Sequence, residues 1–108
     1  MLQLLARLAK VGVETYHADF RRSEITFYLN TDETLVCAAE QPNVAIATEF
    51  SADKFASAMK YAAATGKDVD YQKWLAELRG AGCVGYFVSV LTNRTKFFDR
   101  RGELCSAT

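Results

Sequence analysis

Hydrophobic and polar residues follow two different periods in the first third of the chain. Apolar residues recur at helical spacing over residues 2–10, and Gly12 ends this predicted helix. Over residues 13–21 the pattern changes to strict alternation, with Tyr16 on the apolar face. The same alternation appears in two further segments, residues 24–30 and 34–38. The pattern therefore predicts a helix followed by a three-stranded antiparallel meander.

The second half begins with helices and then returns to alternation. Ser51 is a good N-cap for a helix over residues 52–64, whose apolar face includes Phe55. Asp68 is expected to cap a second helix that runs to about Arg79. Three strands are predicted after it: Val84–Leu91, Arg94–Asp99 and Glu103–Ser106.

The two halves match at a fixed offset of seventy positions. Seven identities carry the match: Leu5, Ala6, Leu8, Gly12, Tyr16, Phe27 and Glu33 recur as Leu75, Ala76, Leu78, Gly82, Tyr86, Phe97 and Glu103. Two copies predict one pseudo-symmetric domain, because a solenoid needs about three repeats or more. We therefore predict a single α+β domain over residues 1–108, built as an internal duplication of a helix plus a three-stranded antiparallel meander. The helices are expected to pack on one face of the sheet. The first copy covers about 1–38, a linker and helix cover 39–67, and the second copy covers about 68–108.

Composition narrows the class of protein. The length of 108 residues suits one domain with a single core. No apolar run approaches the roughly 20 residues that cross a bilayer, so we expect no membrane association. Cys37, Cys83 and Cys105 lack metal-site spacing and predict free thiols in a reducing cytoplasm, with no metal ion and no cofactor. Cys83 follows a helix C-terminus, which disfavours a thiolate, so we predict a buried residue rather than a nucleophile.

Charge is balanced overall but unevenly spread. Residues 1–50 hold seven acidic and four basic side chains, and residues 51–108 hold six acidic and nine basic ones. A zero net charge disfavours a nucleic-acid partner, which usually requires a strongly basic surface. A weaker hypothesis is nucleic-acid binding through the basic residues of the last hairpin: Arg94, Lys96, Arg100 and Arg101. The opposite charges of the two halves fit self-complementary association of two copies of the chain at least as well as they fit nucleic-acid binding.

Three apolar residues of the second copy are predicted to point away from the core. They are Phe87, Leu91 and Phe98, whose counterparts in the first copy are polar or are the amphipathic Tyr28. Either the linker or the middle helix covers them, or they form a protein–protein interface, as apolar patches with a polar rim usually do. The second reading predicts a homo-oligomer, in the simplest case a dimer.

Candidate chemistry lies on the outer face of the first copy. His17 and Asp19 are two apart on a predicted strand, so they share a face and could form an imidazole–carboxylate pair. Tyr28 lies on the neighbouring strand with the same parity, and Arg21 is a further candidate for ligand binding. A catalytic reading makes His17 a general base that Asp19 orients. The other reading is a solvated sheet face on which these polar side chains have no common role.

Two segments carry a resemblance to a known family. They are Gly-Val-Glu-Thr-Tyr-His-Ala-Asp-Phe at residues 12–20 and Ala-Gly-Cys-Val-Gly-Tyr-Phe-Val at residues 81–88. With them, the chain resembles along its whole length a YbcV-like bacterial family of unknown function. Some members are carried on prophages, and some bear the label "phage envelope protein". The resemblance implies a soluble α+β protein and supplies no activity, substrate or cofactor.

The resemblance also implies a difference at the N-terminus. Members of the family usually carry an extra N-terminal segment, the counterpart of the helix predicted over residues 52–64. The present sequence opens inside the following helix, and we expect it to be truncated or started late. Apolar surface of the first copy would then be open and would favour dimerisation or strand exchange.

These observations predict an uncharacterised bacterial protein that is a non-enzymatic binding or protein-interaction module. The alternative is a small enzyme or ligand-binding protein that uses His17, Asp19 and Tyr28. A concave pocket that joins these three side chains would favour the alternative, and an interface that buries Phe87 would favour the first class.

Overall fold

The computed structural model describes residues 2–106, with side chains from residue 6 onward except that of Lys67. It contains three α-helices, a short 3₁₀ turn and five strands. In chain order they are α1 Leu2–Lys10, β1 Val13–Asp19, β2 Glu24–Leu29, β3 Thr34–Ala38, α2 Ala52–Thr65, the 3₁₀ turn Gly66–Asp68, α3 Tyr71–Gly80, β4 Cys83–Ser89 and β5 Arg94–Asp99.

The strands form one antiparallel sheet in the order β3-β2-β1-β4-β5. The predicted α+β class is therefore confirmed. By their internal contacts the residues group into two compact units: 1–40 with 85–96, and 41–84 with 97–108.

In the first unit, β1 lies between β2 and β4. Tyr16 is paired with Phe27 on β2 and with Val88 on β4. The Tyr16 and Phe27 rings lie 5.5 Å apart, and the Phe20 ring meets Tyr86 edge-on at 5.9 Å. The side chains of Tyr16 and Phe20 are buried, as the alternation predicts for the apolar face of β1.

In the second unit, α2 and α3 both pack against Phe97 of β5. The rings of Phe55 on α2 and Trp74 on α3 lie 5.4 Å and 6.0 Å from the Phe97 ring, each in an edge-to-face arrangement. Aromatic pairs of this geometry stabilise a core beyond the area that they bury. The predicted cap of α2 is confirmed, because Ser51 Oγ accepts a hydrogen bond from the Lys54 amide at 3.2 Å.

The predicted start of α3 is wrong. Asp68 does not cap it, because Gly66–Asp68 forms a 3₁₀ turn directly after α2. Asp70 takes this place, and its Oδ1 accepts a hydrogen bond from the Lys73 amide at 3.2 Å.

The predicted third strand of the second half is also wrong. Within the described residues, the segment Glu103–Ser106 contributes a single bridge, between Leu104 and Phe98. One further hydrogen bond joins the Cys105 amide to the Phe97 carbonyl at 2.8 Å. Cys105 and Ser106 stand at the places equivalent to Leu35 and Val36 of β3, and serine lacks the β-propensity of valine.

The backbone nevertheless repeats several local features at the seventy-residue offset. The amide of Leu29 donates to the Glu33 carbonyl, and that of Asp99 donates to the Glu103 carbonyl, each at 2.9 Å. Left-handed backbone angles occur at three matched pairs of positions: Gly12 and Gly82, Ser23 and Asn93, and Asp32 and Gly102.

Candidate functional site

Three aromatic rings stack on one face of the sheet in the first unit. The Phe87 ring lies 5.6 Å from the His17 ring with an interplanar angle of 22°. It lies 6.1 Å from the Tyr28 ring with an angle of 20°. Offset stacking of this kind is a favourable arrangement of aromatic rings. We refer to His17, Tyr28 and Phe87 as the aromatic cluster.

The pairing of β1 with both of its neighbours positions this cluster. His17 lies opposite Phe87 on β4, and Thr15 lies opposite Tyr28 on β2. Opposed residues share a face of a sheet, as do residues two apart on one strand. The three rings therefore lie on the face opposite to buried Tyr16. Tyr28 is 38% exposed, and the other two rings are half-buried.

Asp19 has a different role from the one its spacing suggests. Its Oδ1 accepts hydrogen bonds from the Arg21 amide at 3.1 Å and the Arg22 amide at 3.3 Å, which closes the turn between β1 and β2. A hydrogen bond between Asp19 and His17 is not found among the described residues, and the His17 ring packs on Phe87 instead. The carboxylate thus holds a turn, and the imidazole belongs to an aromatic stack.

The other predicted site residues are spread over several elements. Arg21 is exposed in the turn after β1. Leu91 is 70% exposed and lies in the turn after β4, because β4 ends at Ser89 rather than at Leu91 as predicted. Phe98 is half-buried in the second unit, where it bridges to Leu104.

The four basic residues of the last hairpin fall into two pairs. Arg94 and Lys96 are exposed on β5. Arg100 donates from Nη2 to the Ile46 carbonyl at 2.7 Å, and Arg101 donates from Nη2 to Asp99 Oδ2 at 3.3 Å. Two of the four basic side chains, Arg100 and Arg101, therefore already donate hydrogen bonds to oxygen atoms of the protein.

A cavity of about 370 Å³ lies in the second unit. Its lining includes Phe50, Gly82, Asp99, Arg100 and Arg101. Both guanidinium groups already bind protein oxygens. Because both arginines are already paired, the cavity has only weak support as an anion-binding site.

Two of the three cysteines are neighbours in the second unit. Cys83 is fully buried, as predicted, and a hydrogen bond joins its thiol to that of half-buried Cys105. Burial, together with the nearby Cys83 sulfur and the Asp99 charge, raises the pKa of the Cys105 thiol to about 12. Because the thiolate is the reactive form, this environment makes Cys105 a poor nucleophile.

We expect Cys105 to resist alkylation in the folded protein at pH 8. Relative to a thiol with the ordinary pKa of 9.0, a pKa of about 12 leaves a thiolate population roughly a thousand times smaller. Brief iodoacetamide treatment followed by peptide mass spectrometry measures this protection. The control is protein unfolded in urea, in which Cys37, Cys83 and Cys105 should all react. Rapid modification of Cys105 in the folded chain would contradict the burial argument.

The contact of Phe87 with His17 and Tyr28 is not predicted by the sequence reasoning. His17 and Phe87 are equivalent positions at the seventy-residue offset, and they face each other in the central strand pair. Residues at equivalent positions of a sequence repeat lie opposite each other in this way when the two segments pair in antiparallel fashion about a local two-fold axis. The sequence repeat predicts this contact only when the pairing of the two equivalent strands, β1 and β4, is also known.

No group of three or more His, Cys, Asp or Glu side chains within residues 2–106 could hold a metal ion. No helix in this part of the chain is long and apolar enough to span a membrane.

Comparison with known proteins gives a family and no activity. Residues 1–107 match the family model described as "Protein of unknown function (DUF1398)". A search of curated proteins finds no match to the chain.

Proposed function

Because the chain belongs to DUF1398, a family of unknown function, we propose its role from its surface: a non-enzymatic binding module that self-associates through the aromatic cluster. The observation that carries the proposal is the stack of Phe87 with His17 and Tyr28 on the sheet face opposite to buried Tyr16. Accessible aromatic rings with polar neighbours are the usual centre of a protein–protein interface.

The neighbourhood of the cluster supports a protein partner. Leu91 adds an apolar side chain that is 70% exposed in the adjoining turn. Thr15, Thr26 and Ser89 share the face with the three rings and supply a polar rim. An interface of this kind buries apolar rings at the centre and leaves hydroxyl groups at the edge to exchange hydrogen bonds with water.

The charge distribution is compatible with a second copy of the chain as this partner. Arg94 and Lys96 are exposed on β5, and in the β1–β2 hairpin Glu24 is paired with Arg22 at 3.1 Å. The net charge of the chain is zero, so no overall repulsion opposes the association of two copies.

The catalytic alternative has weaker support. General base catalysis by His17 would be aided by a carboxylate that orients the imidazole. Asp19 is the nearest such group in sequence, and its oxygen accepts hydrogen bonds from two turn amides. A nucleic-acid partner has weaker support for a similar reason, since Arg100 and Arg101 bind protein oxygens.

Light scattering on the wild type and on the Phe87→Asp, Leu91→Asp double variant tests the proposal. We expect the wild type to have twice the mass of one chain and the variant to be a folded monomer. The dimer dissociation constant should rise at least about tenfold, since two carboxylates would have to be desolvated in the interface.

Leu35→Asp is the matched control for this experiment. Leu35 is a 57% exposed apolar residue of β3 that shares the face of buried Tyr16, so its replacement adds a carboxylate to the sheet face opposite to the aromatic cluster. This variant should remain dimeric. A wild type that stays monomeric at every concentration would overturn the proposal, as would a double variant that still dimerises.

We also propose that the chain arose by internal duplication. The hydrogen bonds and left-handed backbone positions that recur at the seventy-residue offset support this history. Three free cysteines support a reducing compartment, and we propose the cytoplasm.

A further inference from the structure

The free edge of β3 is the basis of a second proposal, independent of the aromatic cluster. β3 is the outermost strand on its side of the sheet. Its five residues, Thr34–Ala38, carry no charge, and neither proline nor a bulge interrupts them. Natural sheets usually protect such an edge with lysine, proline, a bulge or a covering loop, because its unpaired backbone groups can bind another strand.

The pattern of hydrogen bonds identifies which backbone groups are free. The Ala39 amide donates to the Ser23 carbonyl, and the Leu29 amide donates to the Glu33 carbonyl. Hydrogen-bonded pairs alternate along an antiparallel ladder, so Leu35 and Cys37 also bond to β2. The N–H and C=O groups of the intervening residues therefore point to the open edge. Within the described residues these are Thr34, Val36 and Ala38.

Side chains on both faces of β3 are accessible. Leu35 lies opposite Phe27 and shares the face of buried Tyr16, whereas Val36 lies opposite Thr26 on the other face. Leu35 is 57% exposed and Val36 is 54% exposed. A helix or a second sheet would cover one of these faces. An added strand extends both faces together, so it would place side chains beside Leu35 and beside Val36.

The charge around this edge specifies the chemistry of the added strand. β3 and the segments on either side of it, residues 30–40, contain three carboxylates and no basic side chain, whereas Glu24 on the neighbouring strand is already paired with Arg22 at 3.1 Å. The carboxylates flank β3 on both sides, with Asp32 and Glu33 before it and Glu40 after it. Antiparallel pairing of two β3 edges about Val36 would set Asp32 of one copy near Glu40 of the other, and like charges oppose each other there. A strand with basic flanks has no such repulsion.

We propose that β3 is a docking edge that binds an extended partner segment with an alternating apolar centre and lysine or arginine at both ends. The backbone groups of Thr34, Val36 and Ala38 would hydrogen-bond the added strand. Leu35 and Val36 would contact its apolar side chains, and the flanking carboxylates would pair with its basic ends. This binding mode adds one strand to the sheet and leaves the aromatic cluster unoccupied.

A labelled peptide, Lys-Lys-Val-Thr-Val-Thr-Val-Lys-Lys, tests this proposal by fluorescence anisotropy with the full chain. We expect saturable binding that weakens with added salt, since exposed charges are screened. A peptide with glutamate in place of every lysine should bind at least about tenfold more weakly. Absence of saturable binding up to millimolar protein would overturn the proposal.

Val36→Pro is the decisive variant. It removes a backbone N–H that points to the open edge, and proline is tolerated at such a position because no bond to β2 is lost. We expect peptide affinity to fall at least about tenfold, with an unchanged circular dichroism spectrum. Val36→Thr, which keeps the N–H, should bind within about twofold of the wild type. A folded Val36→Pro protein that binds as tightly as the wild type would overturn the proposal.

Two further arms cover the remaining outcomes. If Val36→Pro does not fold, the test moves to a peptide N-methylated at both threonines, or at the three valines, on wild-type protein. Since antiparallel pairing uses one of these alternate sets of amides, at least one methylated peptide should lose binding. If both methylated peptides bind as tightly as the unmodified peptide, the proposal is overturned. The Phe87→Asp, Leu91→Asp variant should bind the unmodified peptide as the wild type does, so failure of self-association and failure of the edge are distinguishable.

Discussion

Replacing Gly82 with alanine should destabilise the protein by about 3 kcal/mol. Gly82 has a φ of +92°, which costs an L-residue about 1–2 kcal/mol. A Cβ at this position would also lie 2.8 Å from the Glu49 carbonyl oxygen and 2.9 Å from the Phe50 Cα. These are backbone atoms, so relief requires movement of the chain before α2, which adds about 1–3 kcal/mol of overpacking.

Gly102→Ala separates the two causes. Gly102 has a similar φ of +79°, but no atom lies within 4 Å of its hypothetical Cβ. This variant should therefore lose only about 1 kcal/mol. Urea unfolding followed by circular dichroism measures both, and we expect the Gly82→Ala midpoint to fall by about 1.5–2 M with an unchanged slope. Equal losses of unfolding free energy in the two variants would show that the contact with residues 49–50 does not add to the cost of Gly82→Ala.

Replacing Asp99 with alanine should cost about 2–3 kcal/mol, because two amides of the turn and the Arg101 guanidinium would lose a charged acceptor. Asp99 is 4% exposed. Its Oδ1 accepts from the Arg101 amide at 2.9 Å and from the Glu103 amide at 3.1 Å, and its Oδ2 accepts from the Arg101 guanidinium. The equivalent turn residue of the first half is Leu29, so the second turn depends on a side chain that the first does not have.

The contribution of Asp99 should depend on pH in a defined direction. Burial opposes ionisation, but hydrogen bonds from Glu103 and Arg101 outweigh it and hold the pKa of Asp99 below its ordinary value of 3.8. A depressed pKa stabilises the native state above the unfolded value, and this stabilisation is lost as the pH falls through the native one. Asp99→Asn keeps the Oδ1 acceptor without ionisation, so its deficit relative to the wild type should be full near neutrality and shrink below about pH 4. A deficit that does not change between pH 7 and pH 3 would contradict the assignment.

Much of the fold follows from local pattern. Alternation identifies Tyr16 and Phe20 as inward, and both are buried. A serine before an amphipathic segment locates the start of α2 at Ala52. The start of α3 is misplaced because Asp68 and Asp70 have the same capping chemistry, and only the 3₁₀ turn after α2 decides between them. The local sequence pattern does not predict that turn.

The candidate sites depend on contacts that local pattern does not determine. Parity places His17 and Tyr28 on one face, but their stacking on Phe87 requires the pairing of β1 with β4. The Asp19 carboxylate could accept a hydrogen bond from the imidazole two residues before it or from the turn amides two and three residues after it. The geometry of the turn favours the amides. The open edge of β3 becomes visible only when the strand order is known.

That strand order also affects how the chain reaches its native state. β1 with β2 and β2 with β3 are joined by short turns, and so is β4 with β5. Such hairpins close within microseconds because their strands are near neighbours along the chain. The pairing of Asp19 with Gly85 is different, since every residue of α2 and α3 lies between them. This pairing closes a much longer loop than any of the hairpins does, so we expect the junction of β1 and β4 to form after them.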